Sequence, residues 1–162
     1  MIVKNLRKNF LINSFLVLLI FLLDRLSKIY VIYLDKKFPG SEIFSSKYLN
    51  INLIWNDGIA FGLFSFEKNN LYNLLTLIII AIIFLIIFMT VKAEGLKKYS
   101  LLMILGGAIG NVFDRLFNRS VPDFIDFHIG NFHWFIFNIA DVFITIGVIF
   151  MILIEIIGNN KN

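Results

Sequence analysis

From Leu71 to Val91 the chain runs without a charged residue, and from Leu77 to Met89 without a polar side chain. A bilayer's hydrocarbon core of ~30 Å needs about 20 such residues in a helix, so this stretch makes lipid the solvent of the fold. Composition agrees: 59% of the residues are hydrophobic and 16% charged, against about 45–50% and about 25% in soluble domains. A disordered or plainly soluble protein is excluded. The net charge of +4 belongs to the flanks of apolar runs, as in basic membrane proteins, and does not point to nucleic acid. The chain has no Cys, which removes a disulfide framework, a thiolate nucleophile and a Cys-ligated metal.

Three further stretches have spanning length, and helices are expected over about 10–34, 71–91, 99–117 and 132–157. The first follows Lys4, Arg7 and Lys8 as a secretory signal would, but no small-x-small cleavage site follows Leu23, so an uncleaved helix is expected. Lys and Arg are dense before the first span and at Lys92, Lys97 and Lys98, and sparse over 35–70. The positive-inside rule then puts both termini in the cytoplasm, with 35–70 and 118–131 outside. Within 35–70, Leu49, Ile51, Leu53 and Trp55 largely alternate with asparagines, and Asp57-Gly58 offers a hairpin turn into Ile59–Phe66. The expected architecture is an all-α membrane protein, a single integral membrane domain over 1–162. It has four transmembrane helices, with a small extracytoplasmic β element between helices 1 and 2.

Charges at membrane depth cost at least ~2.5–3.5 kcal/mol each and need a reason. By helix rise, Asp24 and Asp114 each sit ~21 Å from a cytoplasmic end, and Asp141, about seven residues past Trp134, lies ~10 Å below the outer surface. All three converge on the outer third of the membrane. Lys28 follows Asp24 by one turn, as a snorkelling pair or as part of a site. Asn111 and Asp114 share a face, with Arg115 placed to neutralise Asp114 and give it a structural or orienting use. Gly106 and Gly110 have the spacing that lets helices approach closely. Asn138 and Asp141 also share a face, and Asp141 has no basic residue within a turn, which favours function. Asp123 and Asp126, just before the fourth span, can reach the level of Asp141. Two carboxylates around one water can hydrolyse a peptide, one as base and the protonated other as acid. His128 and His133 are five apart, a spacing that matches no strong zinc signature, so no metal site is expected. No Gly-x-Ser-x-Gly supports a serine nucleophile. At this level a protease and a small proton- or ion-coupled transporter, with the acids as a relay, both remain open.

The motifs go further. Leu23-Asp24 with Lys28, Asn56-Asp57-Gly58-Ile59-Ala60-Phe61, Gly106-Gly107-Ala108-Ile109-Gly110-Asn111 with Asp114-Arg115, Asp123-Phe124-Ile125-Asp126, and Phe137-Asn138-Ile139-Ala140-Asp141 occur in that order. Together, over about residues 20–150, they resemble the bacterial lipoprotein signal peptidases, a family of membrane aspartyl peptidases. The resemblance implies a catalytic pair at Asp123 and Asp141, with Asn56, Gly58, Asn111, Asp114, Arg115, Asn138, Asp24 and Lys28 binding substrate or shaping the site. It implies cleavage of prolipoproteins before a diacylglyceryl-modified cysteine, at the outer face of the bacterial inner membrane. The enzyme would act as a monomer in contact with membrane lipid, without metal or organic cofactor. Two positions depart from the family pattern, Pro122 before Asp123 and Ile59 in the outer segment. Pro122 fixes its own φ and restricts Val121, which stiffens the approach to Asp123 without changing its chemistry.

Overall fold

The computed structural model describes residues 2–39, 42–58 and 69–159. In chain order the elements are α1 (Ile2–Lys37), β1 (Phe44–Ser45), β2 (Leu49–Asn56), α2 (Asn69–Lys92), α3 (Gly95–Phe117), β3 (Val121–Ile129), β4 (Phe132–Phe137) and α4 (Ile139–Asn159). Among the described residues, three segments are long and apolar enough to cross a membrane: Tyr72–Lys92, Gly95–Phe117 and Ile139–Gly158. α1 runs from before the expected start at residue 10 to beyond the expected end at 34. The expected second arm of an outer hairpin, Ile59–Phe66, lies outside the described residues.

Among the helices α3 is the hub, packing against α1, α2 and α4. Its Leu101, Leu102, Leu105 and Val112 are buried, whereas Leu77, Phe84 and Leu85 of α2 and Ile152, Leu153 and Ile156 of α4 are exposed. Apolar side chains that face outward along a whole helix are stable only against hydrocarbon. With no hydrophobic drive between helices in lipid, close backbone approach supplies the packing. The glycines of α3 provide it on two faces. A Cβ at Gly110 would lie 2.6 Å from the Asp24 carboxylate of α1, and one at Gly107 would lie 2.4 Å from the Ala140 carbonyl oxygen of α4. Only glycine fits either crossing.

The strands form one antiparallel sheet in the order β1-β2-β3-β4. Two expectations are corrected here. The β element is not confined to the connection between the first two helices, because half of its strands come from the segment between α3 and α4. Nor do residues 132–137 open the last helix. Phe132–Phe137 is a strand, and the helix begins at Ile139. A short continuous apolar run carries no period that separates strand from helix, so local turn chemistry decides. Gly130, at φ +59°, and Asn131 close the hairpin by pairing Ile129 with Phe132 and His128 with His133. Gly-Asn is a two-residue hairpin signal. Pro122, which cannot donate to a ladder, pairs with Trp55 and lies beyond the last β3–β4 pair at Ile125 and Phe137.

Candidate active site

The site is built at the head of α4. Asn138 precedes the first helical residue, and its Oδ1 accepts the Asp141 N–H at 3.1 Å while Asp141 Oδ2 accepts the Asn138 N–H at 3.1 Å. This reciprocal arrangement is a capping box with Asn at the cap and Asp three residues on. Asp141 is therefore in the first turn of its helix, not ~10 Å down a longer one. The helix dipole favours a carboxylate there. A further free N–H of that turn, from Ala140, is taken by Asp24 Oδ1 of α1 at 3.1 Å.

Asp123 is brought to the same place by the sheet. On β3 it pairs with Ile54 of β2, and its side chain accepts hydrogen bonds from Asn138 Nδ2 at 2.6 Å and Asn56 Nδ2 at 2.9 Å. Asn138 thus touches both acids. Asn56 is itself fixed, its Oδ1 accepting the Gly58 N–H at 3.0 Å in an Asx-type turn. Burial pushes the Asp123 carboxyl up to about 6, the charge of Asp141 adds to the rise, and the two amide donors oppose it. A cavity of about 460 Å³ opens beside it, lined by Trp55, Asn56, Gly58, Asp123, His133 and Trp134 among others.

Beneath the acids lies a buried ionic network. Lys28 Nζ donates to Asp24 Oδ2 at 2.9 Å, Asn111 Oδ1 at 2.9 Å and Asp114 Oδ2 at 2.8 Å, which uses all three of its donors. Its side chain is 1% exposed, so the snorkelling reading is wrong. The guanidinium of Arg25 grips Asp114 with both terminal nitrogens and reaches Asp24 at 3.1 Å. Two cations and two anions leave the cluster neutral, the condition for holding charge away from water. Because Lys28 points its ammonium at Asn111 Oδ1, the Asn111 amide must turn its NH₂ the other way, and it donates to Asp141 Oδ1 at 2.8 Å. The network reaches the acid through one oriented amide.

Asp114 is not neutralised by its neighbour Arg115, as the sequence suggested, but by Arg25 and Lys28. Arg115 turns away to donate to the Gly58 carbonyl oxygen at 2.6 Å and lies 5.6 Å from the Tyr72 ring. The pairing of α1 with α3 explains both. Arg25 was not singled out from the sequence. The missing signal was the face it shares with Lys28 at three residues' spacing.

The site thus brings Asp123 of β3 and Asp141 of α4, both held by amides, beside helices long and apolar enough to cross a membrane. The profile of the signal peptidase (SPase) II family matches residues 16–157, and the chain belongs to that family. It is 47% identical over 154 residues to the lipoprotein signal peptidase of Pelagibacter ubique (strain HTCC1062), covering 95% of this chain and 93% of that one. With the lipoprotein signal peptidase of Anaplasma phagocytophilum (strain HZ) it shares 40% identity over 136 residues, 83% of this chain and 85% of that one. The solved structure of a bacterial membrane enzyme, obtained in meso at 2.3 Å resolution, superposes with a TM-score of 0.77 at 28% identity, covering 93% of this chain and 90% of that one. The chain is a peptidase of this family.

Proposed function

We propose that this protein is an aspartyl endopeptidase that removes the signal peptide from prolipoproteins, cutting before the diacylglyceryl-modified cysteine, with Asp123 and Asp141 as its catalytic pair. The observation that carries the pair is Asn138, which hydrogen-bonds Asp123 through its side chain and Asp141 through its cap. Neutral amides hold both carboxylates, and Lys28 stands off behind Asn111. A direct cation would pin either acid in its ionised form, whereas amides let the pair share a proton. In the shared state the ionised acid takes a proton from water as that water attacks the scissile carbonyl, and the other donates its proton to the carbonyl oxygen. The tetrahedral intermediate then collapses with protonation of the leaving nitrogen. Asn56 and Gly58 line the cavity side, Arg115 holds the Gly58 carbonyl, and Asp24, Arg25, Lys28, Asn111 and Asp114 fix the geometry of the acids.

In this reading α1 is the fourth transmembrane span, both termini are cytoplasmic, and the sheet lies on the outer face of the bacterial inner membrane. The acids near α1's outward half and the start of α4 then meet at one level, where a signal helix enters sideways with its acyl chains still in lipid. The enzyme acts as a monomer. Reporter fusions after Lys97 and after Lys161 are expected to read cytoplasmic, and those after Lys47 and Arg119 external. A cytoplasmic signal at Lys47 would put the site on the wrong side for a translocated prolipoprotein.

The shared proton sets the pH profile. Burial pushes the Asp123 carboxyl up to about 6 and the charge of Asp141 adds to the rise, so the pair holds one proton up to about that pH. Above that pH a doubly ionised pair has no acid to offer, so the cleavage rate declines on the alkaline side from about 6. On the acid side it declines as the pair takes a second proton. The Asn56 hydrogen bond stabilises ionised Asp123, so Asn56→Ala raises its pKa and moves the alkaline limb to higher pH. Rates of the purified enzyme across pH, wild type beside variant, test the assignment. A limb that stays in place or moves to lower pH refutes it.

A further inference from the structure

We infer that Asp126, His128 and His133 form a binding site for a divalent transition metal of the zinc class, separate from the catalytic acids. The five-residue spacing that spoke against a ligand pair in the sequence is undone by the hairpin, because its two-residue turn sets His128 directly across from His133. Their rings stack 5.0 Å apart at 21°, and one ligand atom from each of the three residues falls within 4.8 Å of the others. Zinc bonds to imidazole and carboxylate of about 2.0–2.1 Å imply ligand-to-ligand edges of about 3.3 Å. In this proposal the difference is closed by side-chain rotation of His128 on β3 and His133 on β4.

The donor set selects the ion. Two imidazoles and one carboxylate suit zinc and its first-row neighbours, whereas magnesium and calcium prefer oxygen alone. Three protein ligands leave a fourth position for water. The residues are also prepared for the role. Asp126 is 6% exposed, and its carboxylate already meets His133 Nδ1 at 2.8 Å, while Asn50 Nδ2 approaches it from β2 at 3.5 Å. His128 Nδ1 is shielded from solvent and has no hydrogen-bond partner among the described residues, which is rare for a buried polar atom. The His133 side chain is 53% exposed and gives an ion its way in. Asp123 and Asp141 take no part. A metal here would staple β3 to β4, the hairpin that carries Asp123 and runs straight into the Asn138 cap.

The full chain in detergent, free of any polyhistidine tag and stripped with chelator, is titrated with ZnCl₂ and separately with MgCl₂ by calorimetry and thermal unfolding. One zinc per chain is expected, with a higher Tm, and no response to magnesium. His128→Ala and His133→Ala should each weaken zinc binding by at least about 10-fold. If an alanine variant does not fold, Co²⁺ added to the wild type gives the second reading, with the visible absorption of a low-symmetry nitrogen and oxygen site expected. No zinc binding by the wild type, equal binding by both folded variants, or a cobalt spectrum identical to the hexaaqua ion would overturn the site.

Discussion

Asp123→Asn and Asp141→Asn are each expected to reduce prolipoprotein cleavage by about 10²–10⁴-fold, the range that one positioned acid or base contributes, in a protein that still inserts and folds. An amide neither accepts the proton of the attacking water nor gives one to the carbonyl as an acid. Folding should survive for a local reason. Asn at 141 keeps an oxygen for the Asn138 N–H, and Asn at 123 keeps one for Asn138 or Asn56. At 123 the change also removes an ionisable group that burial disfavours. The measurement is turnover of a diacylglyceryl-modified prolipoprotein, read by product mass, alongside Tm in the same detergent. Near-wild-type turnover in either variant would dismiss the pair. A double variant no worse than either single one is also expected, since residues acting as one unit do not add.

What the sequence made legible follows its periods and motifs. The charge-free run of α2 and the glycine spacing of α3 are local signals with a single reading, and both helices stand within a few residues of the expected bounds. Asp24, Asp114 and Asp141 stand out by cost, because a carboxylate at membrane depth needs a reason, whereas the pairing of Asp123 with Asp141 rests on the family resemblance. The ionic partners do not stand out. Adjacency suggests Arg115 as the partner of Asp114, but adjacent residues on a helix point about 100° apart, and the partners come from α1, which no local pattern names. The start of α4 was missed for the opposite reason. By spacing Asn138 and Asp141 share one helical face, but the same three-residue spacing is that of a cap and its reciprocating acid. A cap at Asn138 leaves Phe132–Phe137 free to be a strand, with Gly130-Asn131 as its turn.

The same network makes the second large prediction, which concerns folding more than chemistry. Lys28→Met removes a fully buried cation whose three donors reach Asp24, Asn111 and Asp114, leaving Arg25 alone against two buried carboxylates. Breaking a buried ion pair from one side costs ~3–5 kcal/mol, a large share of the ~5–15 kcal/mol that holds a protein folded. The expected result is a sharp loss of folded protein in the membrane and a much lower Tm in detergent. The fraction that folds should also turn over slowly, because Asn111 loses the charge that orients its amide toward Asp141. Asp114→Asn should be comparably destabilising, since it leaves Arg25 and Lys28 with only Asp24. The discriminating measurement is the double variant Lys28→Met with Asp114→Asn, in which Arg25 and Asp24 remain as a neutral pair 3.1 Å apart. If charge balance is what holds this interior together, the double variant is more stable than the sum of the single losses by a coupling of about 0.5–3 kcal/mol. Simple additivity would show that the cost lies in packing around α1 and α3, and the neutral-network account would have to be abandoned.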